Sequence, residues 1–482
     1  MRNHIKVIII IIFLAIVALI LFFFRIYTLK KNFVNERPVT HTEETVGSNK
    51  PIESTKTAKL ISETVGIVTN TPSEESQNKA TSTKTEFIST EINEFKNKAN
   101  WEAFNAGNIG GLITKGYFGA TFDGRYVYYA PCRTAKFHGI VLRYDTEKSF
   151  ALASSWQSYD AGSVDGLDTR GYAGAVYDGR YVYYVPFSVE TTRHARVLRF
   201  DTQGSFTSSS SWSAYDAKAV GAGFGYDGAV VKGQYIYFTP FGYEPFAHAK
   251  VLRFDTKGGF KDPLSWKVYD ASLTSGLDTK GYYGTVLAGD YIYFVPFNDG
   301  KGFHGRVLRY DTRKSFTDSS SWNAYDASLT GGENTVGYKG AVYDGKYIYF
   351  VPFRDKEGSH GLVLRYNTEK DFKTSSSWDV YDAQGTDGLD TRGYVGGEFD
   401  GRYVYFIPYS YEESQFHAKA LRYDTQGDFK SKTSWSAYDA GATSGLATKG
   451  YKYSVSDGEY IYYVPYNDGK SFSGTALRYK LK

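Results

Sequence analysis

From Trp101 onward, apolar and polar positions alternate in short runs, each cut off by glycine, proline or a cluster of serines. The stretch 178–187, DGRYVYYVPF, shows the unit: a tight-turn signal, then an alternating aromatic and β-branched run, then a proline that ends it. It recurs seven times, with prolines at Pro131, Pro186, Pro240, Pro296, Pro352, Pro408 and Pro465, spaced by 54 to 57 residues. Internal repetition at that period marks an array or a propeller. Within one period, GYAGAVYDG (171–179) predicts strand a, RYVYYVPF strand b, ARVLRFDT strand c and WSAYDA (212–217) strand d. Four short antiparallel strands in a repeat of about 55 residues make a propeller blade.

The tryptophan of strand d occurs seven times, at Trp101, Trp156, Trp212, Trp266, Trp322, Trp378 and Trp435. The first precedes any strand a, and the last strand c, ALRYKLK (476–482), has no strand d after it. The sequence therefore predicts an all-β, seven-bladed propeller whose N-terminal outer strand completes the last blade, leaving no open sheet edge between the chain ends.

Where the chain reads V-L-R-Y-D-T followed by S-S-W, it resembles the Kelch repeat, in which an aromatic-Asp step in strand c precedes a tryptophan in strand d. The resemblance covers 101–482 at the level of blade layout. In place of the double glycine that ends strand b in Kelch proteins, this chain has Pro-Phe, Pro-Tyr or Pro-Cys. The signatures of tryptophan–aspartate propellers, Gly-His and Trp-Asp, fit less well. The resemblance implies a fold and carries no family function.

Upstream the pattern changes twice. After a short tail, 1–6, residues 7–24 are eighteen apolar residues without a charge, framed by Lys6 and Arg25. As a helix they span roughly 27 Å, close to a bilayer's hydrocarbon thickness. No A-x-A-like cleavage site follows, so the expectation is an uncleaved single-pass anchor with the propeller outside the cytoplasm, although Arg25, Lys30 and Lys31 lean the positive-inside rule the other way. Residues 25–98 are rich in Ser, Thr, Glu and Lys and read as a disordered stalk, ahead of the propeller at 99–482.

Composition adds limits. Aromatics are 17% of the chain, including 44 tyrosines, which excludes a disordered composition for the whole. A net charge of +4 gives no global field for nucleic acid. The single cysteine, Cys132, allows neither an intramolecular disulfide nor a cysteine zinc cluster.

Candidate chemistry lies in repeated and in unlike positions. His138, His194, His248, His304, His360 and His417 each stand five residues before the arginine of strand c, and Ser473 replaces the seventh. They form a ring on the face of the b–c loops, either as polar donors around a sugar or anionic ligand, or as locks bonding backbone carbonyls or neighbouring blades. Repetition in six blades favours the lock. Arg143, Arg199, Arg253, Arg309, Arg365, Arg422 and Arg478 in mid-strand c are structural: sandwiched between blades, each must be paired or stacked on a ring. Asp160, Asp216, Asp270, Asp326, Asp382 and Asp439 at the ends of strand d, with Asn105 in the closing blade, are their expected partners. Asp168, Asp278 and Asp390 in the d-to-a connections lack the D-x-D-x-D-G spacing of a calcium loop. No G-x-S-x-G, H-E-x-x-H, P-loop or dinucleotide fingerprint occurs, so no catalytic residue, metal or cofactor is assigned.

Function, where it departs from scaffold, is expected where the symmetry breaks. The b–c loops differ most and are rich in aromatics, amides and carboxylates, which suit sugar rings or peptide segments. Tyr243, Phe303 and Tyr411 join the six histidines as candidate ligand-binding residues, and the blade-three connection, two residues shorter than that of blade two, is a place for a gap in the ring. The sequence thus favours a non-enzymatic, membrane-anchored binding propeller for a cell-surface glycan or protein. The alternatives are a structural surface scaffold and a polysaccharide-acting hydrolase or lyase.

Overall fold

The structure is a computed structural model describing residues 94–241, 247–412 and 414–481, all within one compact unit, 38–482. The segment expected to span a membrane, 7–24, lies outside these residues, as does nearly all of the expected stalk. Among the described residues no helix is long and apolar enough to cross a membrane.

Seven four-stranded antiparallel sheets form the ring. In blade one the strands are a (Tyr117–Phe122), b (Tyr126–Pro131), c (Ile140–Asp145) and d (Trp156–Asp160), hydrogen-bonded in that order. Blades two to six repeat this over 172–216, 226–270, 282–326, 338–382 and 394–439. Blade seven takes a (Tyr451–Ser456), b (Tyr460–Pro465) and c (Thr475–Lys480) from the C-terminus and d (Trp101–Asn105) from the N-terminus, with Trp101 opposite Tyr479 and Asn105 opposite Thr475. The closure expected from the tryptophan count is the observed one. The structure adds three two-stranded ribbons, two in d-to-a connections and one in the b–c loop of blade two.

Each seam between blades is an aromatic core. Every strand-d tryptophan donates its indole N–H to the carbonyl of a phenylalanine six residues upstream, as Trp156 does to Phe150 and Trp101 to Phe95, both at 3.0 Å. Phe95 is wholly buried, so the closing strand brings its own upstream anchor.

The arginines correct the expected ion pairs. Arg143 lies between Tyr126 of its own blade, 4.1 Å from the ring centroid, and Phe206 of the next, at 4.3 Å. Arg309 lies likewise between Tyr291 and Phe372, and Arg478 between Tyr460 and Phe150. Antiparallel register explains why the aspartates are not the partners. It sets each arginine opposite the residue after the tryptophan, as Arg143 opposite Gln157, and leaves Asp160 three pairs away opposite Ile140. Polar groups at that cross-strand position take the guanidinium: Gln157, Ser213, Asp379, Ser436 and, in blade seven, Glu102 at 2.7 Å. Asp160, Asp216, Asp270, Asp326, Asp382 and Asp439 instead accept a backbone N–H two residues ahead and start the connection.

Candidate functional site

The b–c loops and the d-to-a connections share one end of the ring, and the histidines sit where they meet. In all six the Nε2 atom donates to a carbonyl 23 or 24 residues upstream and Nδ1 accepts the N–H two residues ahead; for His304 these are Lys280, at 2.8 Å, and Arg306, at 3.2 Å. The same pair of bonds holds His138, His194, His248, His360 and His417. That network fixes the neutral tautomer with the proton on Nε2. Burial pushes the imidazoles down, His138, His248 and His304 to about 4 and His194 and His417 to about 3. Ser473 keeps half of the arrangement, its Oγ accepting the Thr475 N–H. Both ring nitrogens are therefore engaged with backbone, which is the geometry of a lock between the b–c corner and the entry to strand a.

The other candidates divide. Tyr243 lies outside the described residues. Phe303 is half-buried and packs edge-on against Phe297, at 5.4 Å. Tyr411 stacks flat on His417 at 4.4 Å, donates to the Asp390 carbonyl and accepts from Lys419 Nζ at 2.7 Å, a braced, half-exposed ring at the rim. Asp168, Asp278 and Asp390 pair with Arg170, Lys280 and Arg392 two residues on. Among the described residues no group of three His, Cys, Asp or Glu could hold a metal ion. The short connection of blade three lies directly on His248, where a Cβ at Gly223 would fall 2.3 Å from the imidazole.

The unlike residues converge on the axis. The residue after each strand-b proline, Cys132, Phe187, Phe241, Phe297, Phe353, Tyr409 or Tyr466, points inward, and all seven are buried in one cluster. The second residue of strand a is Phe118, Ala173, Asp227, Tyr283, Lys339, Val395 or Lys452, again wholly or nearly buried. Lys339 Nζ stands 3.6 Å from the Phe353 centroid and 4.5 Å from that of Tyr283, and Lys452 Nζ 4.0 Å from that of Phe118. Arg193 lies 4.6 Å from both Phe187 and Phe241; burial pushes its guanidinium down to about 9, against the Asp227 carboxylate. Desolvated cations over ring faces gain about 2 kcal/mol each, which offsets part of the loss of water.

One more residue fills the centre. The third residue of strand a is glycine with positive φ in six blades and Tyr453, at φ 68°, in the seventh. Its ring lies against the glycines of blades four, five and six; a Cβ at Gly396 would fall 2.4 Å from Tyr453 Cδ1. Sequence reasoning missed these axial positions. Their signal was present as two columns, one that changes from each blade to the next and one broken only by a tyrosine.

The charges at the axis are held by ring faces, and the phenols and imidazoles around them are buried. No family model and no curated protein matches the chain. Among solved structures, the crystal structure of the WD40 β-propeller domain of Doa1 is similar, with a TM-score of 0.46 and 7% identity over 79% of this chain and 97% of that one.

Proposed function

We propose that this seven-bladed propeller is a recognition module of Kelch-like layout, tethered at a cell surface by residues 7–24, that binds a carbohydrate or protein ligand on its b–c loop face. The observation that carries the reading is where the asymmetry lies. Strands b, c and d are near-copies around the ring, while the second residue of strand a and the b–c loops vary around it, with lysine recurring only at Lys339 and Lys452 and the loops of blades four and seven sharing Asn-Asp-Gly-Lys. A scaffold needs the copies; a ligand needs the differences. The braced Tyr411 ring and the half-exposed Arg133, whose guanidinium lies 5.2 Å from Phe137 and 5.6 Å from Phe472, supply an aromatic and a cationic contact at the rim. The test applies the full chain in detergent micelles to a glycan array and to purified envelope proteins. Binding to a defined subset is expected, weakened at least about tenfold by Tyr411→Ala or Arg133→Ala, the loss of one aromatic or arginine anchor. Binding to neither panel, or binding indifferent to both substitutions, overturns the reading.

A further inference from the structure

The outer strand of a blade carries a row of N–H and C=O groups that no further strand takes. In this ring the d-to-a connections close that row at one column, four residues after the alanine that follows strand d. The column reads Gly110, Asp165, Gly221, Ser275, Gly331, Asp387 and Ser444, all at positive φ. Asp165, Ser275, Asp387 and Ser444 accept the outward N–H of the third residue of strand d in the next blade. A Cβ at Gly110 would fall 3.1 Å from Ser158 Oγ, and one at Gly331 2.9 Å from Val380 Cγ1, so these two connections also lie on their strands. Gly221 is the exception: a Cβ there meets nothing within 4 Å among the described residues. Its connection is the short one, a single helical turn, Ala217–Val220, that ends at Gly221. The strand it leaves open is strand d of blade three, Trp266–Asp270. Its third residue, Val268, is half-buried, where Ala103, Ala214, Ala324, Val380 and Ala437 are at most 6% exposed. Among the described residues no group accepts the Val268 N–H.

We propose that this strand is a docking edge for an extended acidic segment of a partner protein, which adds to blade three as a fifth strand. The charge points to the acid. Lys267 is exposed and pairs across the sheet with Arg253, which stacks between Tyr235 at 4.2 Å and Phe316 at 4.7 Å. Five other blades place Glu102, Gln157, Ser213, Asp379 or Ser436 at the Lys267 position, each an acceptor for its arginine. Blade three alone sets two cations side by side there, an unfavourable pairing that an incoming carboxylate relieves. The acids at the two ends of the strand, Asp262 and Asp270, are turned to the backbone N–H groups of Leu264 and Ser272. Apolar contacts lie just beyond both ends, with Leu264 86% and Leu273 78% exposed. An added strand gains main-chain hydrogen bonds along the edge and side-chain contacts at its flanks. A second copy of this chain fits less well. In antiparallel pairing opposite residues share a sheet face, so Lys267 meets Lys267, Tyr269 or Ala271 of the other copy and never Asp270. The edge is the outermost strand of its sheet, so it is a surface separate from the b–c loop face.

The test titrates the full chain in detergent micelles with two fluorescent peptides of eight residues, one alternating valine with glutamate and one alternating valine with lysine. Saturable binding of the glutamate peptide is expected, at least about tenfold tighter than that of the lysine peptide. Lys267→Glu cancels or reverses that preference. Val268→Pro removes the outward N–H, spares the ladder to strand c, and weakens the glutamate peptide at least about tenfold. Tyr411→Ala leaves both peptides unaffected, because its ring belongs to the loop face. No saturable binding, equal binding of the two peptides, or an affinity indifferent to Lys267→Glu overturns the proposal. A concentration-dependent dimer that Val268→Pro dissolves overturns it as well, since the edge then belongs to a second copy. Should Val268→Pro not fold, Lys267→Glu decides alone.

Discussion

Arginine in a propeller seam loses most of its water, and here two ring faces replace it, joined in five blades by a cross-strand acceptor. Arg309 has Tyr291 at 4.5 Å on one side and Phe372 at 4.2 Å on the other. Asp326, at the end of the same hairpin, only accepts the N–H of Ser328. The two residues are therefore separable. Arg309→Ala is expected to cost about 2 kcal/mol or more, from the lost stacking and the packing of its stem. Asp326→Ala is expected to cost less than about 1 kcal/mol, the worth of one exposed hydrogen bond. Urea denaturation of both variants checks this, and equal costs would restore the ion-pair reading. The sequence showed that the guanidinium needed compensation but not which kind, because the phenylalanine that supplies half of it belongs to the next repeat, from Arg309 as far downstream as Phe372.

At the scale of elements, the outer strand of each blade is the exposed edge, and the d-to-a connections cover several of them. Asp165, Ser275, Asp387 and Ser444, all at φ between 52° and 56°, accept the outward N–H of Ala214, Ala324, Ala437 and Ala103 in the next blade. Holding a non-glycine residue in this left-handed region costs about 1 kcal/mol, offset by satisfying an edge that would otherwise invite pairing with another chain. The strands themselves were legible, because alternation, turns and prolines all agree with the blade. The anchor at Phe95 was not: the tryptophan stood out by its rarity, while a phenylalanine six residues earlier is one aromatic among many. Phe95→Ala is expected to cost about 3–5 kcal/mol, the cost of emptying a large core site. The loss should appear in denaturant unfolding and as early proteolytic release of the N-terminal strand. A cost below about 1 kcal/mol would mean that the ring closes without it.

For the whole molecule, the repeated histidines make acid the natural denaturant. Each is held neutral, with its folded pKa depressed below the unfolded value of about 6.5. The unfolded chain thus binds more protons as pH falls, so the stabilisation is complete above about pH 6.5 and is lost on the way down to the folded values near 3 to 4. With six such groups acting together, stability is expected to fall by up to ~1.4 kcal/mol per pH unit for each of them. Thermal unfolding between pH 7 and 4.5 measures the slope, and His304→Asn should make it shallower by about one sixth. A flat profile would mean that the imidazoles are not buried neutral. The ring and its closure could be read from the chain because seven copies vote on every strand. The axial cluster was hidden by the same repetition: Asp227 and Tyr453 each stand alone at their repeat positions, lysine recurs only at Lys339 and Lys452, and only the ring brings them together. The way the ring closes also decides how the protein meets mechanical load. Tension between the two chain ends reaches their shared strand pair at the Trp101–Tyr479 end, behind Phe95 and Lys96. Tension entering from the N-terminal side alone must first extract Phe95 from its seam and part Lys96 from Asp387, paired at 2.9 Å. Resistance to pulling is then set by one phenyl ring and its neighbours rather than by the hydrogen bonds of the sheet.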